Sequence, residues 1–389
     1  MKRKTSSVRI FVSSLVLSYP RRGRLSYIWN IGSLISFLMV FQVISGVLLT
    51  LFYSPRRLLA FRSVDFLTRE TIYGVFIRVI HLNFASLIFL FLFLHMFRGL
   101  YFSSFKQAGA WLRGSGLFGL SILSAFLGYV LPWGQISFWG ATVITNLVRT
   151  LPFLGPSIVL WLWGGFRVNK ATLSLFFTLH FLTPLAILAG ILLHLLFLHE
   201  SSSTSPIFLH ERFSKVKFTP RFSLKDISNF ALMGLASGVF IFSPWSLGDP
   251  ENWVKANPIQ TPVHILPEWY FLFAYAILRA IPRKLGGVVA LVMRILVLFF
   301  LPFLAYRKDF PWLGNKCFST FIPYTFIGLT FLGASPVESP YLELSQGFTI
   351  AYFFIFSLLV CGFKRVPTPL PYSFDTGDTQ EWFNSNFLW

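Results

Sequence analysis

The sequence predicts an all-α integral membrane protein with eight transmembrane helices, the first four gathered into a bundle. Three observations carry this. Of 389 residues, 55% are hydrophobic and 12% charged, whereas a soluble chain carries about 25% charged residues. Apolar runs of about twenty residues recur, each long enough to cross a bilayer. Two of them, "RVIHLNFASLIFLFLFLHMFRG" and "TLHFLTPLAILAGILLHLLFLH", each hold two histidines fourteen residues apart: His81 with His95, and His180 with His194.

Taken in order, the chain opens with a basic segment, 1–27. Its apolar part, "IFVSSLVLSYP", is short and ends in Pro20 and more arginines, which argues against a cleavable signal peptide and for an interfacial amphipathic helix. Spans are expected at 28–52, 76–101, 111–131, 172–198, 227–244, 286–305, 319–334 and 346–363. The seventh is the least regular, with Pro323 near its start and Pro336 just beyond its end. The bundle occupies 28–200 and includes a surface loop, 132–171. Connecting loops and the fifth span fill 201–285, three spans follow in 286–363, and 364–389 is a tail. The loops 132–171 and 245–285 are rich in Pro, Gly and Trp and are expected to lie on the membrane surface as short helices.

The net charge of +19 does not indicate nucleic acid, because the basic residues sit between apolar spans. Twenty Lys and Arg fall on the side of the N-terminus and twelve on the other, with Arg294 inside span six. That bias puts the N-terminus on the negative side. Spans two and four then run parallel, from the positive side to the negative. Cys317 and Cys361 are the only cysteines, too few for a disulfide framework or a four-cysteine cluster, and neither lies in a context for covalent haem attachment.

Fourteen residues advance a helix roughly 21 Å and return nearly to the same face. Parallel spans two and four therefore set His81 level with His180, and His95 level with His194. A single buried histidine is ordinarily an interior residue. Two pairs at one spacing, using four of seven histidines, point instead to two haems with bis-histidine axial ligation, an arrangement suited to electron transfer. Gly32 and Gly46 of span one, and Gly114 and Gly128 of span three, repeat the spacing. Gly46 and Gly128 fall at the depth of the first pair, and Gly32 and Gly114 at that of the second. A flat macrocycle could lie against bare backbone there, although membrane helices also use glycine for close packing. Arg78 and Arg98 each share a face with a histidine three residues away, placed to meet haem propionates or to anchor at the interface. Arg294, a charge inside a span, has no account from the sequence.

The segments "LGYVLPWGQISFWGATVITNL" and "PEWYFLFAYAILRAIP", with these histidines, resemble cytochrome b of the ubiquinol–cytochrome c reductase complex, respiratory complex III, from about Trp29 to Lys364. The continuous chain and equal spacings favour this form over the photosynthetic relative. The resemblance implies an enzyme subunit that oxidises ubiquinol on the positive side and reduces ubiquinone on the negative side, coupled to proton translocation. It implies two non-covalent b haems, the low-potential one on His81 and His180 and the high-potential one on His95 and His194. Glu268 would accept quinol protons beside Tyr129, in a pocket with Phe126, Gly140, Ile144, Pro267, Phe271 and Tyr275. His199 and Asp226 would serve the quinone-reducing pocket with Trp29, Asn30, Ser33 and Ser203. Implied partners are the Rieske iron–sulfur protein, cytochrome c1, other complex III subunits in a homodimeric complex, and lipids such as cardiolipin. The implied location is the mitochondrial inner membrane with the N-terminus in the matrix, or alternatively a bacterial plasma membrane. The rivals are another di-haem membrane reductase, and a transporter or assembly subunit whose intramembrane histidines relay protons.

Overall fold

The computed structural model describes residues 19–23, 25–201, 203–204, 215–304 and 312–361. Nearly all of the expected interfacial helix, and the tail 364–389, lie outside these.

A turn of 3₁₀ helix at Tyr27–Asn30 leads into α1, Ile31–Thr50. An amphipathic helix α2, Ala60–Glu70, then precedes α3, Gly74–Tyr101. Gly74 starts α3 because a Cβ there would strike the carbonyl of Leu67. Next come α4, Ala108–Val130, the surface helices α5, Gln135–Leu147, and α6, Gly155–Trp163, and then α7, Lys170–Ser201. Strand β1, Pro20–Arg22, pairs antiparallel with β2, Lys215–Lys217. α8, Arg221–Ser237, gives way at Gly238 to α9, Val239–Phe242. The remaining helices are α10, Trp269–Ala280; α11, Lys284–Leu304; α12, Trp312–Ala334; and α13, Tyr341–Cys361.

Six helices of the described residues are long and apolar enough to cross a membrane: Tyr27–Thr50, α3, α4, and the stretches Lys170–Glu200, Lys284–Phe303 and Tyr341–Leu359. At the fifth expected span the helix starts earlier, carries Lys225 and Asp226, and changes at Gly238, so that it runs for only 17 residues. At the seventh, the described apolar stretch is Ser319–Ala334. Both surface loops hold the expected short helices. Helix α2 had no counterpart in the expectations.

α1 packs on α3 and α4 on α7, enclosing an apolar interior of Ile35, Leu38, Met39, Ile88 and Ile187. The largest core lies outside the bundle, where Phe89, Phe93 and Phe118 of α3 and α4 meet Tyr270, Phe273 and Ile277 of α10 and Phe326 and Leu329 of α12. Outward faces such as Leu182, Leu185 and Leu193 of α7 stay exposed, as expected of helices surrounded by lipid. The two surface loops are tied together: Asn252 Oδ1 accepts from the Ser137 amide and hydroxyl (3.0 and 2.8 Å), and the Asn257 amide donates to the Gln135 side chain (2.8 Å). This tie carries the chain leading to α10 across the end of α4.

Candidate functional site

The four histidines meet in two crossings between α3 and α7. The rings of His81 and His180 lie 6.3 Å apart, centre to centre, and those of His95 and His194 lie 6.4 Å apart. Matching in the same order along both helices makes α3 and α7 parallel. With a metal–imidazole bond of about 2.0 Å, and roughly 1.1 Å from nitrogen to ring centre, two imidazoles on opposite sides of one metal would put their centres about 6.2 Å apart. No group of three or more His, Cys, Asp or Glu among the described residues could hold a bare metal ion. Each pair therefore suits a metal whose other positions are filled by a macrocycle.

Local hydrogen bonds orient the first pair. The Ser45 hydroxyl lies 2.8 Å from the Phe41 carbonyl, to which it donates, leaving its oxygen to accept from His81 Nδ1 at 3.0 Å. His180 Nδ1 donates to the Ser124 carbonyl at 2.9 Å. Both Nε2 lone pairs are then free for a metal. Pro184 removes the helical donor to the His180 carbonyl, and the Thr183 hydroxyl lies 3.5 Å from it. His95 differs, because Arg98 Nη2 lies 3.1 Å from its Nδ1. A guanidinium only donates, so Nδ1 accepts and Nε2 carries the proton. Metal binding by this Nε2 requires Arg98 to swing away. Arg78 donates to Thr68 Oγ1 (3.0 Å) and stacks on Trp253, with its guanidinium carbon 4.2 Å from the ring centre.

Each of the four glycines faces a histidine, in the expected depth order. A Cβ at Gly46 would stand 3.0 Å from His81 Cε1, at Gly114 3.1 Å from His194 Cε1, at Gly32 3.3 Å from His95 Cε1, and at Gly128 closer still to His180. The immediate neighbour of the bare backbone is thus the edge of an imidazole. α1 is antiparallel to α3, and α4 to α7.

A cavity of about 860 Å³ runs from the second histidine pair to the end of the bundle, lined by Gly32, Gly114, Arg98, Trp29, Ser33, His199, Ser203 and Asp226 among others. Asp226 Oδ1 accepts from Asn30 Nδ2 at 2.6 Å and from the Ser33 hydroxyl at 2.5 Å. Trp29 is fixed by its indole N–H to the Thr204 carbonyl (3.0 Å). Two lining residues, Tyr19 and Arg21, went unforeseen. The Tyr19 ring stacks on His199 at 4.0 Å and its hydroxyl donates to the His199 carbonyl (3.0 Å). Arg21 rests on Phe222, and burial lowers its pKa against the opposing pull of Asp226. The unusual "YPRRGRLSY" was the available signal, but nothing in it says that β1 folds over His199.

At the opposite end, Glu268 immediately precedes α10. It makes no side-chain cap bond to the helix, and its Oε1 is buried without a partner, as is the Tyr129 hydroxyl. Burial, assisted by the charge of Asp249, pushes the Glu268 carboxyl up to about 7, while the nearby Tyr129 hydroxyl acts the other way. Phe126, Gly140, Ile144, Pro267, Phe271 and Tyr275 are all half-buried on or beside α4, α5 and α10. Open space lies beside Gly140. Phe126 packs against Phe176, Phe271 against Phe89, and Tyr275 under Arg279.

The family model described as cytochrome b/b6/petB matches residues 16–202, and the one described as cytochrome b(C-terminal)/b6/petD matches 255–353. A cytochrome b of Albinaria caerulea is 48% identical over 349 residues, covering 88% of this chain and 95% of its own. A chain of a solved structure titled hyperthermophilic respiratory Complex III aligns with a TM-score of 0.83 at 29% identity, over 92% of this chain and 96% of its own. The chain belongs to the cytochrome b family.

Proposed function

We propose that the chain is the quinone-reacting electron-transfer subunit of a respiratory complex III, oxidising ubiquinol near the positive side of the membrane and reducing ubiquinone near the negative side, with proton translocation. The observation that carries this reading is the pair of level histidine crossings, 6.3 and 6.4 Å between ring centres. His81 and His180 hold the low-potential b haem, and His95 and His194 the high-potential one. Bound haem supplies one-electron transfer with no open coordination position.

The remaining chemistry belongs to side chains. A quinol hydroxyl gives its proton to Glu268 Oε1, an uncommitted acceptor whose pKa of about 7 suits a base working near neutrality. Tyr129 lies beside it. Phe126, Gly140, Ile144, Pro267, Phe271 and Tyr275 shape an apolar slot for the ring. At the other end His199 and Asp226 flank the quinone carbonyls and hand over protons, with Ser33 and Asn30 already bound to Asp226, and Trp29 and Ser203 bordering the cavity. Arg98, and Arg78 at the first pair, are the candidate propionate partners; for Arg98 that role also frees His95 Nδ1.

One of each quinol's two electrons needs an acceptor other than these haems. The likeness to a respiratory complex III chain supports membership in a complex with other subunits; the partners in this reading are a Rieske iron–sulfur protein, cytochrome c1 and further subunits, in a homodimer with lipids such as cardiolipin. The distribution of Lys and Arg supports an N-terminus on the negative side; the reading takes eight spans in the mitochondrial inner membrane, N-terminus in the matrix, or alternatively in a bacterial plasma membrane. The test is to mix the purified complex with ubiquinol and follow the b-type absorption. Quinol-dependent reduction is expected. A complex whose haems dithionite reduces and ubiquinol does not would overturn the reading.

A further inference from the structure

Arg294 lies mid-way along α11 and is 5% exposed. Its guanidinium carbon stands 4.7 Å from the centre of the Phe273 ring. Phe97, Phe118, Phe326, Tyr352 and Phe356 complete an aromatic wall around it. No hydrogen bond or ion pair engages it among the described residues, and its Nε is buried without a partner. A charge inside the membrane is costly, and aromatic faces offset only part of that cost. Packing alone would be better served by an apolar side chain.

Its position gives the charge a use. Arg294 borders a pocket of about 10 Å³, roughly the room of one water. Met96, Phe118 and Leu298 line this pocket and also the large cavity that contains His95 and His194. The small pocket at Arg294 and the cavity at the second histidine pair therefore share a wall. The first pair lies fourteen residues away along both helices, roughly 21 Å. In a low-dielectric interior a fixed charge acts over the shorter distance with little screening.

We propose that Arg294 is a buried cation that raises the reduction potential of the haem held by His95 and His194 relative to the one held by His81 and His180. An electron arriving at the second site lowers the net charge there by one, and a neighbouring fixed cation favours that state. The asymmetry makes transfer from the first site to the second downhill. This inference rests on the haem reading above.

The test is a potentiometric titration of the assembled complex, following the α-band of each haem, in Arg294→Met, Arg294→Gln and Arg294→Lys. Both neutral variants should lower the midpoint of the second haem and leave the first unchanged, while lysine keeps the native value. An unchanged second midpoint in Arg294→Met with both haems bound overturns the proposal. So does an equal shift in Arg294→Lys, which would make packing the cause. Absence of b-type absorption from the native complex would instead defeat the haem reading itself.

Discussion

Replacing Gly46 by alanine tests the histidine crossings through their backing. The new Cβ would stand 3.0 Å from His81 Cε1 and 3.7 Å from Nδ1, where ordinary contact begins at 3.4 Å. The ring must therefore retreat by about 0.4 Å, while its Nδ1 is held at 3.0 Å by Ser45, the residue next to Gly46. Helix α1 cannot back away freely, since the carbonyl of His81 accepts from Gln42 one turn earlier (2.9 Å). Overpacking of this kind costs about 1–3 kcal/mol, which corresponds to a loss in haem affinity of roughly five- to 150-fold. The same substitution at Gly32 meets His95 Cε1 at 3.3 Å and should be nearly silent. Gly114 should fall between them, and Gly128, the tightest, should be the most damaging. The assay is the reduced-minus-oxidised spectrum of membranes carrying each variant, normalised to chain content. Equal haem content in the Gly46→Ala and Gly32→Ala variants, at native level, would refute the argument that glycine makes room for the imidazole edge.

Other outcomes follow from the same geometry. His81→Ala should lose one haem and keep the second, read as half the b-type absorption. Glu268→Gln should slow quinol oxidation on the order of 10²-fold with both haems retained; turnover at the native rate would remove Glu268 from the proton path. A carboxyl with its pKa at about 7 is a base only when deprotonated, so quinol oxidation should rise with pH through 7 and fall below it. That limb should vanish in Glu268→Gln. Asp226→Asn removes the acceptor charge for Asn30 and Ser33, hydrogen bonds worth about 1.5–3 kcal/mol each when charged. It should weaken quinone binding at that end, measured by reduction of the second haem through the quinone-reducing pocket, without changing the first.

Much of this was legible in a single chain because helical periodicity is a local property. The fourteen-residue repeats in α3 and α7, matched by glycines in α1 and α4, carry the depth of each crossing without any tertiary information. Their common direction followed from the distribution of Lys and Arg. The four glycines each stand against the edge of one of these imidazoles, which is side-chain geometry that spacing alone does not give. Helix α2 escaped notice because it is amphipathic and polar enough to read as a loop. The Tyr19–His199 stack joins residues 180 positions apart, through a three-residue strand whose partner, β2, carries no period of its own. Arg294 was visible as an anomaly, yet only the packing of α4, α10 and α13 around it shows that its pocket shares a wall with the cavity of the second pair.

The central claim is that four imidazoles clamp two haems inside one bundle. A pyridine haemochrome count on the purified protein, set against its chain concentration, tests this most directly. Two b-type haems per chain are predicted, falling to one in His81→Ala and to one in His194→Ala. A count of one or none in the native protein, or two in either variant, would contradict it.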